Sequence, residues 1–418
     1  MEKKKYLSFI KIISVLLFAA IFGLCSDSDA QEKGLPDEIR VAVIGPMTGP
    51  VADSGIAYKN CSIMAVDEIN SKGGIFGKKI KLFFGDSESK PSAGVAVVER
   101  LINKDKVHII TGEIHSDVGL ATMEVTAKYG IPYVMSGPAT ETITQKIRDN
   151  KQKYRHIFKM DPSTRSTAEQ HNLFLAEMEK KRIFKPKKKR LAIIGENTDY
   201  GRTMCQYLKE FSEKRGLETV AFELVDMKQA DFMSILNKIK KLDPDYMFSV
   251  QAALSGGVSL AKQFREIDIP VICYMGYYAA SKFEFLDLAG SNSDGIVTAM
   301  PGTGMIIGDY FEKYKKRFGI APETVSPFQY DAIYLTAEAL KKAKSIDPDK
   351  FAEALSQIDY KGIHGRWVFD KDSHEALVGP DYIPYTFLQI WGGKRYTIWP
   401  FNLPGVQQYK TPPWLASK

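Results

Sequence analysis

Two hydroxyl-bearing residues offer the first chemistry in this chain. Ser116 stands in TGEIHSDVG and Thr140 in SGPATET, and each loop directly follows a short apolar run that reads as a strand. A loop leaving the carboxyl end of a parallel strand and entering a helix presents hydroxyls and backbone N–H groups that lack intrahelical acceptors, which suits an anion. The same side chains serve equally well as simple helix caps, so both readings stand. Other chemistries find little support. The stretch VAVIGPMTGP begins like a nucleotide-binding strand and turn, but it lacks the third glycine of G-x-G-x-x-G and places Pro46 and Pro50 in the turn. A pyrophosphate needs close backbone approach there. There is no GxxxxGK[ST], G-x-S-x-G or HExxH, and the six histidines are scattered, reading as surface or capping residues even where His115 and His364 lie near suggestive loops. No CxxC or Cys/His cluster is present, so no metal site, cofactor or catalytic residue is expected.

The elements that must hold these loops follow a regular beat. Apolar, strand-like runs open near Arg40, Lys79, Val107, Pro132, His156, Arg190, Glu218, Asp245, Pro270 and Gly295. Such spacing leaves room for one helix per crossover, which predicts an α/β fold of largely parallel sheets flanked by helices. Ala57, Cys61, Met64, Ala65 and Ile69 recur at helical spacing, predicting a helix from about Gly55 to Lys72 that ends at Gly73-Gly74. Pro91 suits a first helical turn. Asp231 reads as an N-cap before FMSILNKIKKL, and Asp243-Pro244 as a stop. Ten strands are many for one sheet, and the long interval after His156 marks a lobe boundary, with residues 150–165 crossing over. After Gly295 helical stretches at 306–318, 327–345 and 348–358 precede the strand-like GRWVFD, PYTFLQIW and KRYTIWP.

Composition bounds the function classes. The 418 residues carry 44% hydrophobic and 26% charged side chains, close to a globular average, and the length favours more than one domain. A formal charge of +7 from 57 basic and 50 acidic residues is too thinly spread to signal nucleic acid. The block EKKRIFKPKKKR, from Glu179 to Arg190, reads as a solvated helix end and loop. Lysines near the N-terminus followed by the uncharged stretch from Ile12 to Leu24 resemble an export signal, residues 1–30, with Ser28 and Ala30 before a cut at Gln31. Cys25 offers a rival reading as a lipid-bearing cysteine, although Phe22-Gly23-Leu24 fits a lipobox poorly. Cys61, Cys205 and Cys273 then remain, an odd number expected as buried single thiols.

Several segments together carry a family resemblance. IRVAVIGPMTGPVADSG, AVDEINSKGGIFGKKIKLFFGDSESKP, ITGEIHSDVG, IPYVMSGPATE and RLAIIGENTDYG resemble, in order and spacing, the periplasmic substrate-binding proteins of branched-chain amino acid ABC importers. The likeness runs from about Ile39 to about Tyr334 and fades toward the C-terminus. It implies a two-lobed type I binding protein with a three-strand hinge, crossing near Phe158 to Pro162, Met300 to Gly304, and Gly365 to Phe369. Residues 36–159 with 304–365 would form one lobe, and 160–303 with 366–418 the other. It also implies that Ser116 and Thr140, with backbone amides near Pro138 and Ala139, hold a ligand carboxylate, and that Tyr200, before Gly201, lines the facing lobe.

Departures from the family pattern shape the expected ligand. Where amino acid binders place a glutamate against the ligand ammonium, this chain has Tyr277-Tyr278; Ala252 and Ser54 replace two further aromatic positions, and Ser87 and His115 stand near an absent cysteine pair. An ammonium buried without a carboxylate costs several kcal/mol. The aromatic replacements point to a small carboxylate or amide, aromatic ones included, without a free α-amino group, held by Ser116, Pro138, Ala139, Thr140, Tyr200, Tyr277 and Tyr278. The alternative is an amino acid whose ammonium meets Glu113, Glu141, Glu196 or Asp199 from a different loop. The expected role is extracytoplasmic capture by a monomer and delivery to a membrane ABC permease, with a periplasmic ligand sensor for a signalling receptor as the alternative.

Overall fold

The computed structural model describes residues 35–49, 51–302, 309–324, 326–403 and 405–416. The export-signal residues, Cys25 and the end of the crossing expected at Met300 to Gly304 lie outside them. The strands are β1 Glu38–Gly45, β2 Lys79–Asp86, β3 Ile109–Gly112, β4 Tyr133–Met135, β5 Ile157–Lys159, β6 Arg190–Glu196, β7 Glu218–Val225, β8 Tyr246–Gln251, β9 Cys273–Tyr278, β10 Val297–Pro301, β11 Tyr360–Lys361, β12 Arg366–Trp367, β13 Tyr385–Trp391 and β14 Lys394–Trp399. The helices are α1 Ala52–Ser71, α2 Pro91–Asn103, α3 Ser116–Tyr129, α4 Glu141–Asp149, α5 Lys151–Tyr154, α6 Thr164–Lys180, α7 Asp199–Lys214, α8 Met233–Leu242, α9 Leu254–Ile267, α10 Phe283–Ala289, α11 Tyr310–Phe318, α12 Ser326–Ala343, α13 Pro348–Ser356 and α14 Pro413–Ala416.

Two main sheets result. The first is ordered β2-β1-β3-β4-β5 and the second β14-β13-β10-β9-β8-β6-β7. All pairs in the first sheet are parallel, as are those joining β7, β6, β8, β9 and β10, while β13 and β14 add antiparallel edges. Each parallel set repeats one topology: its first strand lies between its second and third. The strand order reverses at β1/β3 and again at β6/β8, and such switch points open a crevice beyond the carboxyl ends of the strands.

Strand burial explains the apolar runs. Val41 and Val43 of β1 face one core with Phe328, Ile333 and Trp367, whereas Ala42 and Ile44 face another with Val98, Met123 and Ile143. Leu191 and Ile193 of β6 likewise alternate with Ala192 and Ile194 between two cores. A strand covered by helices on both faces needs apolar residues at every position. Each buried Val, Leu or Ile there contributes about 1.5–3 kcal/mol when removed from water. The three cysteines are buried and free, as their apolar surroundings suggested.

Local signals place the helices. Pro91 occupies the first turn of α2. At the end of α1, Gly73 N–H donates to Asn70 and Gly74 N–H to Ile69; Gly74 has φ +69, and a Cβ there would lie 2.1 Å from the Lys78 carbonyl oxygen. The N-cap of α8 is Phe232 rather than Asp231, whose carboxylate instead accepts from Met233 N–H at 3.0 Å. Three histidines are buried, against the surface or capping reading, and His156 meets Asp349 Oδ1 at 2.6 Å. His171 packs edge-on to Phe387, and His364 lies 4.2 Å from the Phe328 ring. Burial lowers their pKa to about 4 and about 3, so both imidazoles are neutral core groups. No helix among the described residues is long and apolar enough to cross a membrane.

The chain passes from the first sheet to the second after β5. It returns after β10, where α12 packs on α1, and enters the second sheet again at β13. Trp367, Phe369, Ala376 and Ile383 pack into the first core before that last passage.

Candidate functional site

A cavity lies between the two sheets. Its wall is built almost wholly from residues that follow carboxyl ends of parallel strands. Ile114 to Asp117 follow β3, Gly137 and Ala139 follow β4, and Asp161 follows β5. From the second sheet come Glu196 at the end of β6, Thr198 and Tyr200 beyond it, Ala252 after β8, and Tyr277 and Tyr278 at the end of β9. Both switch points of the strand order thus open on one space, the place where open α/β folds hold ligands.

Of the residues expected from sequence, Ser116, Ala139, Tyr200, Tyr277 and Tyr278 meet on this wall. Pro138 and Thr140 are not on it: Pro138 lies against Gly119, and Thr140 caps α4, its Oγ1 accepting from Thr142 N–H at 3.2 Å. Thr140 acts on the cavity indirectly, because its backbone N–H donates to Ser116 Oγ at 3.1 Å. Ser116 is also the first residue of α3, so the amide groups of that helix's first turn face the same end of the cavity.

The opposite side is aromatic. Tyr200 stacks near Tyr277, with centroids 6.4 Å apart, and stands 6.5 Å from Tyr278 in an edge arrangement. The phenol oxygens of Tyr200 and Tyr278 are enclosed and have no hydrogen-bond partner among the described residues. Tyr277 serves the interior as well, packing edge-on to His171. Gly201 lets α7 begin this close to β6, since a Cβ there would lie 2.0 Å from the Glu196 carbonyl oxygen. The Tyr-Gly pair is thereby explained by packing on one side and by a ring in the cavity on the other.

Three carboxyl groups reach the wall, each in a different state. Glu196 accepts from Ala252 N–H at 2.7 Å and from the Thr198 hydroxyl at 2.9 Å, and burial still raises its pKa. Asp117 is raised by burial and by the charge of Asp199, while accepting from Asp199 N–H. Asp161 is the group sequence reasoning passed over. Burial lifts its pKa to about 7 despite nearby Lys159, and its carboxyl makes no hydrogen bond or ion pair among the described residues. Lys159 Nζ binds the backbone carbonyl of Asp161 instead. The signal was available in KMDPSTRS, but that stretch reads as a crossing segment rather than as part of a site.

The remaining acids considered from sequence lie off the wall. Glu113 is fully buried behind it, with Oε1 accepting from Ile114 and His115 N–H. Glu141 pairs with Arg148 at 2.7 Å. Asp199 begins α7, with Oδ2 enclosed and unpartnered. His115, on the wall, is kept neutral at physiological pH because burial and then the charge of Lys282 lower its pKa to about 4. No cluster of three or more metal-ligating side chains occurs among the described residues.

Comparisons with known proteins agree with this geometry. The sequence profile of the family described as periplasmic binding protein matches residues 38–387. A leucine-, isoleucine-, valine-, threonine- and alanine-binding protein of Pseudomonas aeruginosa is 26% identical over 364 residues, covering 85% of this chain and 91% of that protein. A crystal structure assigned to branched-chain amino acid ABC transport in Silicibacter pomeroyi superposes with a TM-score of 0.80 at 24% identity, covering 90% of this chain and all of that one. An ABC-transporter solute-binding protein of Rhodopseudomonas palustris in complex with 3,4-dihydroxybenzoic acid gives 0.74 at 24% identity, covering 89% and 99%. The fold is that of the type I binding proteins, two parallel α/β units facing one cleft.

Proposed function

This chain belongs to the periplasmic binding protein family, and from that premise we propose that it captures an amino acid-like solute between its two sheets and delivers it to an ABC importer, making and breaking no bond. The observation that carries the reading is that donors for a carboxylate and an acid without a partner among the described residues line one cavity. Ser116, Ala139 and the first turn of α3 offer donors to a carboxylate. On the same wall Asp161 presents a partly exposed carboxyl that makes no hydrogen bond or ion pair among the described residues, and a ligand ammonium would supply a partner. The expectation of a ligand without an amino group rested on the missing acid after β9, and Asp161 offers an acid from another loop. Contacts made to both walls at once provide the differential affinity that shifts open and closed populations.

A second reading has its own observation. The unpartnered phenols of Tyr200 and Tyr278 and the neutral His115 suit an aromatic acid with hydroxyl groups. The similar Rhodopseudomonas palustris protein holds such a ligand. Isothermal titration with L-leucine, L-isoleucine, benzoate and 3,4-dihydroxybenzoate separates the two. The amino acid reading expects binding that Asp161→Asn abolishes. Binding of a benzoate that survives Asp161→Asn replaces it with the second.

The reading keeps two lobes but moves the last crossing from Gly365–Phe369 toward Pro384, so that the stretch 366–383 goes with the first lobe and the second lobe resumes near 384. Support for that shift comes from the packing of Trp367 and Ile383 in the first core, and from Gly302 N–H donating to the Pro384 carbonyl at 2.6 Å. The family and the signal-like N-terminus support an extracytoplasmic location, and the monomer stays an expectation. Permease and ATPase genes beside its own, and recovery in the periplasmic fraction, are the expected companions; a neighbouring receptor gene instead would favour the sensor.

A further inference from the structure

The segment joining β9 to α10 crosses the cleft. Tyr278 ends β9 on the cavity wall. Four residues later Lys282 leaves the second sheet and enters a polar niche on the first. Its Nζ lies 3.0 Å from Asp53 Oδ2, 3.2 Å from Ser54 Oγ and 3.6 Å from Glu323 Oε1, and Ser54 Oγ donates to Glu323 Oε1 at 3.1 Å. Asp53 and Ser54 belong to the first turn of α1, and Glu323 precedes α12, the helix packed on α1. The lysine side chain is 1% exposed. A lone buried ammonium is costly, so so deep a burial needs its acidic partners.

The short strap between these two residues is held under constraint. Tyr278 has φ 63 and ψ −70, a γ-turn geometry that residues with a Cβ adopt only where the surroundings enforce it. The Ser281 hydroxyl donates to the Tyr278 carbonyl at 2.7 Å, and Arg395 of β14 donates to the Ala280 carbonyl at 2.8 Å and to that of Lys282. Lys282 Nζ also stands 5.6 Å from the Tyr278 ring centroid. One end of the strap therefore faces the cavity, and the other is bonded to the opposite wall.

We propose that Lys282 is a positioning residue that holds Tyr278 over the cavity and the two walls together, by docking into the Asp53–Ser54–Glu323 niche across the cleft. Solute binding then adds to a closed state already favoured by this ion pair. The inference rests on the cleft reading but not on the identity of the solute, and its test uses no added ligand.

Small-angle scattering and amide exchange on the full protein, dialysed free of solute, read the latch directly. Lys282→Met is expected to shift the radius of gyration to a larger value and to speed exchange across 278–282. Asp53→Asn, at the exposed partner, is expected to give a smaller shift in the same direction and serves if the first variant does not fold. Charge reversal distinguishes a latch from packing: Lys282→Glu combined with Glu323→Lys is expected to be more compact than Lys282→Glu alone. Wild-type dimensions and exchange in both Lys282→Met and Asp53→Asn, or no recovery in the reversed pair, would overturn the proposal.

Discussion

The backbone N–H of Thr140 donates to the Ser116 side-chain oxygen at 3.1 Å, joining the cap of α4 to the first residue of α3. With its oxygen accepting from Thr140, the Ser116 hydroxyl keeps its proton for another acceptor. That acceptor position lies on the cavity wall, which is where a ligand carboxylate belongs in the proposed function.

Replacing Ser116 by alanine removes both roles. Thr140 N–H loses its acceptor, which costs about 1 kcal/mol of stability. The lost donor weakens binding of a carboxylate ligand by roughly tenfold. Thermal unfolding and titration with L-leucine check the two effects separately, and unchanged affinity would remove Ser116 from the site.

Asp161 predicts a pH dependence of binding. Only its ionised form attracts an ammonium, and its pKa in the empty cleft is raised to about 7. Affinity for an amino acid is therefore full above about pH 7 and falls roughly tenfold per pH unit below it. Asp161→Asn is expected to be weak at every pH. Titrations between pH 5 and 8 decide the matter; the same slope in wild type and variant would assign the proton elsewhere.

The phenol of Tyr200 predicts opposite signs for stability and binding. Its oxygen is enclosed without a partner, so Tyr200→Phe removes an unsatisfied polar group and is expected to stabilise the empty protein by about 1 kcal/mol. A polar ligand that takes up this hydroxyl then binds roughly tenfold more weakly to the variant. Melting temperature and calorimetric titration on the same samples check both.

Glu113 predicts a change of stability with pH. It is fully buried, and burial raises its pKa from 4.5 to about 7 although Ile114 and His115 N–H groups stabilise its charge. Between those two values the folded protein holds a proton that the unfolded chain has released. The stabilisation from this proton is complete below about pH 4.5 and is lost as pH rises through about 7. Glu113→Gln, which mimics the protonated form, is expected to exceed wild type by up to about 3 kcal/mol at pH 8, and the difference should vanish near pH 4.5. Urea unfolding of both proteins across this range measures the difference.

The sheets were legible because their signal is local. Each of the ten runs opening from Arg40 to Gly295 became a parallel strand, since strands such as β1 and β6 must be apolar on both faces and stand out as continuous runs. Ser116 was placed by the same logic, as a residue beyond a strand end, whereas Ala139 came only with the family resemblance, and Thr140, read by the same logic, turned into the cap of α4. Asp161 was not, because one acid in a crossing segment looks like linker chemistry until two sheets close around it. Lys282 was hidden more deeply: its partners Asp53 and Glu323 are distant in sequence in both directions, and nothing in KFEFLDLAG announces a buried ammonium.

Native mass spectrometry of protein purified without unfolding, followed by identification of what denaturation releases, tests the central claim most directly. The account predicts one small solute per chain, carrying both a carboxylate and an amino group, released chemically unchanged. It also predicts that solute to be absent from the Ser116→Ala, Asp161→Asn double variant. A solute retained equally by that variant, or one converted to a product by the protein, would contradict it.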